Sequence, residues 1–212
     1  MFTSRQIFNF DFLFGDISNK YDPFDWEAFN DKSQKYEAVA TDVITGESTY
    51  FDRDECSDIV AGVEASASIP VMSKMIDVEG RKYLDGGVST SIAYKRAFDL
   101  GYPRAVVVLT REEGYRKKPV NKVNESIYKR YFKPLPRLVD KLMSVPERYN
   151  AMQEEMEELA NEGKLLIIRP PKKVIVQRLE KSVAKLESLY NEGYEEGLKN
   201  IENVKKFLSQ NP

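Results

Sequence analysis

The chain has 212 residues, 42% hydrophobic and 31% charged, with a formal net charge of −2. That balance fits one globular domain, or a domain with an appendage, and gives no overall pull toward nucleic acid. It contains no histidine and one cysteine, Cys56, which excludes Ser-His-Asp and Cys-His catalysis, an intramolecular disulfide and a cysteine-rich zinc site. Acid–base work is left to carboxylates, lysine or tyrosine.

The opening stretch "MFTSRQIFNFDFLFG" has neither a basic leader nor an unbroken apolar run, so it does not read as a signal peptide. The longest apolar runs, "AVVVL" and "LLII", are too short to span a bilayer. The expectation is a soluble cytoplasmic protein. "YEAVATDVI" (36–44), Thr45-Gly46-Glu47 and "STYF" predict a strand pair closed by a glycine turn. "CSDIVAGVEASAS" (56–68) predicts a helix that ends before Ile69-Pro70, because the residue preceding proline resists helix. "KMIDV", Glu79-Gly80 and "RKYLD" predict a second hairpin.

After Asp85-Gly86-Gly87, the pattern predicts a helix over 91–100, with Ser91 as N-cap and Gly101 as its left-handed stop. "RAVVVLTR" (104–111) reads as a buried central strand. Strand, helix and buried strand together predict an α/β unit with an open sheet, in which ligands gather at the carboxyl ends of strands. Beyond "GYRKKPV" the character turns to charged amphipathic helices. Ser144-Val145-Pro146-Glu147 has a capping-box pattern, and Tyr149, Met152, Met156 and Leu159 form a stripe as far as Gly163. "KLLIIRP" (164–170) predicts a short strand. Leu179, Val183, Leu186 and Tyr190 make one more stripe, and Tyr194, Leu198, Ile201 and Phe207 another. The expected division is 1–115, an α/β domain portion, and 116–212, a helical extension with one short strand.

Charge is distributed unevenly along this frame. Residues 1–60 carry 13 acids against 5 bases, and residues 111–137 carry 9 bases against 3 acids. The segments "GYRKKP" and "YKRYFK" interleave cations with aromatics. A solvated helix face is the plain reading; an anionic lipid surface met through Lys117, Lys118, Lys129 and Arg130 is the functional one, and no nucleic-acid module accompanies the pattern. The acidic stretch "DRDECSD" (52–58) fails the calcium-loop pattern, with Ser57 and Val63 where glycine and glutamate belong. Acids favoured near a helix N-terminus explain it better.

Asp85-Gly86-Gly87 supports two readings. Taken alone, it is a turn. A carboxylate at a strand end, followed by glycines that let backbone approach closely, can also activate a nucleophile brought in by a neighbouring turn. Gly-x-Ser-x-Gly occurs nowhere: Gly193 and Gly197 enclose Glu195. Ser66 and Ser68, at a helix end, read as packing or capping residues.

Four stretches, "VATDVITGESTYF", "VEASASIPVMS", "GRKYLDGGVSTSI" and "AVVVLTREEGYRKKP", stand in the order found in bacterial patatin-like phospholipases, which the chain resembles over most of residues 25–120. The tail resembles a helical extension of one bacterial subgroup, in "ERYN", "LLIIRP" and "LESLYNEGY". The resemblance implies a three-layer α/β/α sandwich, incomplete here, and a serine acyl-ester hydrolase acting on lipids with a Ser–Asp dyad and no cofactor or metal. It places the dyad acid at Asp85, with Gly86 and Gly87 as its supporting motif. The family's glycine-rich oxyanion turn and its Gly-x-Ser-x-Gly elbow have no counterpart in these residues, and Ala93 stands where many members have proline. The chain thus aligns with the part of the family downstream of the nucleophile, and by itself is expected to be inactive, with exposed sheet edges open to self-association. The alternative is a non-catalytic interaction module derived from the same fold.

Overall fold

A computed structural model of the chain describes residues 9–209. The fold is mixed α/β. Asp11–Tyr21 winds as a π-type helix and leads to the single turn α1 (Trp26–Phe29), N-capped by Asp25, whose carboxylate accepts the Ala28 N–H at 2.8 Å. Then come β1 (Glu37–Asp42), β2 (Ser48–Asp52), α2 (Ile59–Ser66), β3 (Ile76–Val78), β4 (Arg81–Asp85), α3 (Tyr94–Asp99), β5 (Ala105–Val108), α4 (Lys122–Tyr131), α5 (Pro136–Asn161), β6 (Leu165–Ile168) and α6 (Val183–Ser209).

The chain forms two compact units, and neither is a single stretch. One runs through Ile92 and takes in Pro119–Pro146; the other joins Ala93–Lys118 to the chain from Glu147 onward. This differs from a single cut at 115/116. The first unit recruits residues from beyond that cut because Phe132, Leu138, Val139 and Leu142 bury their side chains with Val43, Leu84 and Val88.

In the first unit, both expected hairpins form within one antiparallel sheet of order β2-β1-β4-β3. Gly46 (φ +72°) and Gly80 (φ +79°) supply the left-handed turn residues. Successive residues of β4 point to opposite faces: Tyr83 joins a cluster with Ala38, Ala40, Phe51 and Ala65 of α2, whereas Leu84 joins the cluster built on α4 and α5. Helices therefore cover both faces of the sheet. A cavity of about 300 Å³ opens near α1, lined by Phe14, Phe24, Trp26, Phe29, Tyr36 and Val63.

In the second unit, β5 and β6 pair in parallel, from Ala105 with Leu165 to Val108 with Ile168. The expected α/β unit running from β4 through a helix to β5 in one open sheet is corrected here, because β4 and β5 lie in different sheets. Nor is β5 a buried central strand. Val107 and Leu109 are buried while Val108 is 73% exposed, since among the described residues β5 has β6 as its one strand neighbour.

Two helix starts also differ from expectation. Ser91 does not cap α3; its hydroxyl donates to the Gly87 carbonyl, and Ala93 occupies the cap. Ser144 does not begin a helix, because α5 runs continuously through Pro146. Proline there removes one N–H and its bond to the carbonyl four residues back. The helix persists because Leu138 and Leu142 are buried before Pro146, and Tyr149, Gln153 and Met156 are buried after it, at helical spacing. Gly101 (φ +88°) and Gly163 (φ +71°) end α3 and α5 as expected. Both stripes near the C-terminus fall on one helix, α6, except Leu179, which lies in a turn ahead of it; Val183, Leu186, Tyr190, Tyr194, Leu198 and Ile201 are all exposed. Among the described residues, no helix is long and apolar enough to cross a membrane.

Candidate functional site at the carboxyl end of β4

Asp85 is the last residue of β4, half-buried and opposite Ala40 of β1. Its N–H donates to the Ser68 carbonyl at 2.9 Å, and its carbonyl oxygen lies 2.8 Å from the Thr41 hydroxyl. Its Oδ1 accepts the Gly87 N–H at 2.7 Å, which caps a single 3₁₀ turn, Gly86–Val88. The turn reading of Asp-Gly-Gly is thus realised in the backbone. The functional reading is compatible with it, since the same bond fixes where the carboxylate sits.

Gly86 is required by close approach. A Cβ at this position would stand 2.2 Å from the Val39 carbonyl oxygen and 2.8 Å from the Val39 carbonyl carbon. At Gly87 the nearest atom would be Asp85 Oδ1, at 3.0 Å. The first glycine lets the turn press against β1, and the second leaves room for the carboxylate itself.

Behind the turn runs a ladder of hydroxyls. Thr41 Oγ1 lies 2.8 Å from Ser89 Oγ and accepts the Ser89 N–H at 3.0 Å. Ser89 Oγ is 2.8 Å from Ser48 Oγ, which is 2.7 Å from Thr90 Oγ1. Thr41 and Ser89 are buried. This ladder pins the end of β4 and the following turn to β1 and β2. It had no local signature, because its members come from the β1–β2 hairpin and from the turn after β4, more than forty residues apart in sequence.

The two upstream serines do not meet Asp85 as nucleophiles. Ser68 is fully buried, its hydroxyl donating at 2.7 Å to the Glu64 carbonyl in the preceding helical turn. Ser66 belongs to the last turn of α2. Two residues beyond Ala40, the buried Asp42 takes the Ile44 and Thr45 N–H groups on Oδ1 and the Arg81 guanidinium on Oδ2, at 2.5 and 2.8 Å. Burial pushes its carboxyl up, but the bonds from Thr45, Arg81 and Ile44, with the Arg81 charge, outweigh that and hold it below the usual carboxylate value. The aromatic cavity lies at the Tyr36 end of β1, about 14 Å along the strand from Ala40 at some 3.4 Å per residue. Among the described residues, no three His, Cys, Asp or Glu side chains gather as metal ligands.

The four basic residues singled out as a lipid-facing group do not share one compact unit. Lys117 and Lys118 belong to the second, Lys129 and Arg130 to the first. Lys117 is anchored: its N–H and carbonyl bond the Asn150 side chain at 2.8 and 3.0 Å, and its ammonium sits 4.3 Å from the Tyr149 ring centre. Lys129 pairs with Glu125 at 2.6 Å.

Residues 135–209 match a family model described as a domain of unknown function, DUF6363. That stretch begins just before α5 and takes in β6 and all of α6, so Asp85-Gly86-Gly87 lies outside it. No curated protein sequence matches the chain.

Proposed function

We propose that this chain carries the acid half of a patatin-like serine acyl hydrolase, with Asp85 as the proton acceptor of a Ser–Asp dyad that hydrolyses lipid acyl esters. The observation that carries the reading is the build of the β4 terminus. A carboxylate is fixed at a strand end by the Gly87 N–H, on a turn that only glycine at position 86 allows to close on β1. The ordered motifs around it, and helices on both faces of the sheet, agree with an incomplete α/β/α sandwich of that family.

In this mechanism, Asp85 accepts the proton of an attacking serine hydroxyl. A carboxylate is a weak base toward an alcohol, so the step needs direct contact between the two groups and strong stabilisation of the oxyanion by backbone N–H groups. The resemblance places both the serine and the oxyanion turn upstream of these residues. The 212-residue chain is therefore predicted to be inactive as an esterase. Incubation with a fluorophosphonate probe, followed by peptide mapping, should show no modified serine. Stoichiometric labelling of Ser66 or Ser68 would overturn the claim that the nucleophile lies elsewhere.

A non-catalytic interaction module is the second reading, favoured by the apolar side chains that α6 leaves exposed, Tyr190 at 71% and Val183 at 66% among them. Apolar side chains repeated along one exposed helix are a surface on which another chain could pack. The two readings separate on whether the chain, once supplied with a Gly-x-Ser-x-Gly segment, turns over an ester.

A further inference from the structure

We infer that α4 is a docking helix for anionic membrane surfaces. Its inner side is settled: Phe132, directly after the helix, is buried among Leu84, Leu138 and Leu142, and Tyr128 packs against the same cluster. The outer side carries Val123, Ser126, Ile127 and Arg130, the i, i+3, i+4, i+7 positions of one helical stripe. Solvated helix faces in globular proteins are polar, yet here Val123 is 68% and Ile127 40% exposed, with Tyr131 exposed at the stripe's edge.

Two cations flank these side chains, and a third follows the helix in sequence. Lys122 and Arg130 line the same shallow depression as Val123 and Ile127, and Lys133 follows one residue after Phe132. None of Lys122, Arg130 and Lys133 has a carboxylate within ion-pair distance among the described residues, whereas Lys129 is neutralised by Glu125. An aliphatic stripe flanked by cations outside any ion pair, with a tyrosine at its border, matches what a headgroup layer offers: anionic groups above and acyl carbon just beneath. A nucleic acid would be better met by aromatic rings for stacking than by valine and isoleucine. The lipid surface is therefore the occupant that the side chains fit. This inference does not rest on the role given to Asp85.

The test is sedimentation of the full chain with vesicles of phosphatidylcholine mixed with phosphatidylserine, with pure phosphatidylcholine vesicles and a single-stranded RNA alongside. Binding is expected to the anionic vesicles only, and to weaken as salt rises. K122Q/R130Q/K133Q should lower the partition coefficient by about five-fold for each charge removed. V123S/I127S should lower it by at least ten-fold while the net charge is unchanged, with the far-UV spectrum and melting temperature of both variants held as checks on folding. Equal binding to neutral and anionic vesicles would overturn the inference, as would undiminished binding by either folded variant, or a preference for the RNA. Because the readout is partition and not turnover, its failure leaves the acyl hydrolase reading untouched, and loss of that reading leaves this one standing.

Discussion

Gly86→Ala is expected to be among the most damaging single-methyl additions in the first unit. The added Cβ would meet the Val39 carbonyl oxygen at 2.2 Å and the Val39 carbonyl carbon at 2.8 Å. No rotamer change relieves a contact between a Cβ and a strand backbone, so β1 or the 3₁₀ turn must move. Either movement pulls on the Thr41 bonds to Asp85 and Ser89 and on the Ala40–Asp85 pairing. Overpacking costs about 1–3 kcal/mol where side chains can yield; here the cost should reach or exceed the top of that range. For a protein of this size that means a fall in melting temperature of about 6–12 °C. Gly87→Ala is the informative contrast. Its nearest neighbour is the Asp85 carboxylate, the end of a side chain that can rotate, so stability should change by less than about 1 kcal/mol while the carboxylate is displaced. Calorimetry on the two variants checks the pair. Equal melting temperatures would show that the turn does not press on β1 as described.

Asp42→Ala should cost about 2–3 kcal/mol in urea unfolding. The Arg81 side chain is 59% exposed and can rehydrate when its partner is lost, so the ion pair itself contributes little. The larger loss is the acceptor for two backbone N–H groups that shape the turn between β1 and β2. Asp42→Asn keeps one oxygen for that turn and should cost about 1 kcal/mol. The pH dependence has a definite sign. The folded-state value lies below the unfolded one, which is about 3.9. The contribution of Asp42 is therefore complete above about pH 4 and is lost as pH falls through the lowered folded value. Asp42→Asn should show a shallower loss of stability below pH 4 than the unmodified chain, and parallel curves would contradict the assignment.

The glycine punctuation written locally in the sequence was kept by the fold. Glycine turns at Gly46 and Gly80 closed both hairpins, because a left-handed residue between two β-rich runs leaves the chain few alternatives. Gly101 and Gly163 stopped their helices for the same reason. Features set by distant partners were not legible. The pairing of β5 with β6 joins segments nearly sixty residues apart, and the exposure of Val108 follows from that pairing, not from its own β-branched run. The apparent capping box at Ser144 misled because burial of Leu142 on one side and Tyr149 on the other outweighs one missing hydrogen bond at Pro146. At the candidate site, Asp85 and its glycines were visible as a motif. The hydroxyls of Thr41, Ser48, Ser89 and Thr90 that hold the turn were not, since a lone serine or threonine carries no signal of its neighbours.

The role proposed for Asp85 is tested most directly by the ester turnover of the chain supplied with a Gly-x-Ser-x-Gly segment and oxyanion turn ahead of it, compared with the same protein carrying Asp85→Asn. That substitution preserves an oxygen for the Gly87 N–H and so should leave the melting temperature within about 2 °C, given the small stability changes expected where contacts are kept. If Asp85 is the dyad base, its loss lowers kcat by about 10²–10⁴-fold. A kcat within ten-fold of the unsubstituted protein, in a folded variant, would show that Asp85 is a turn residue and nothing more.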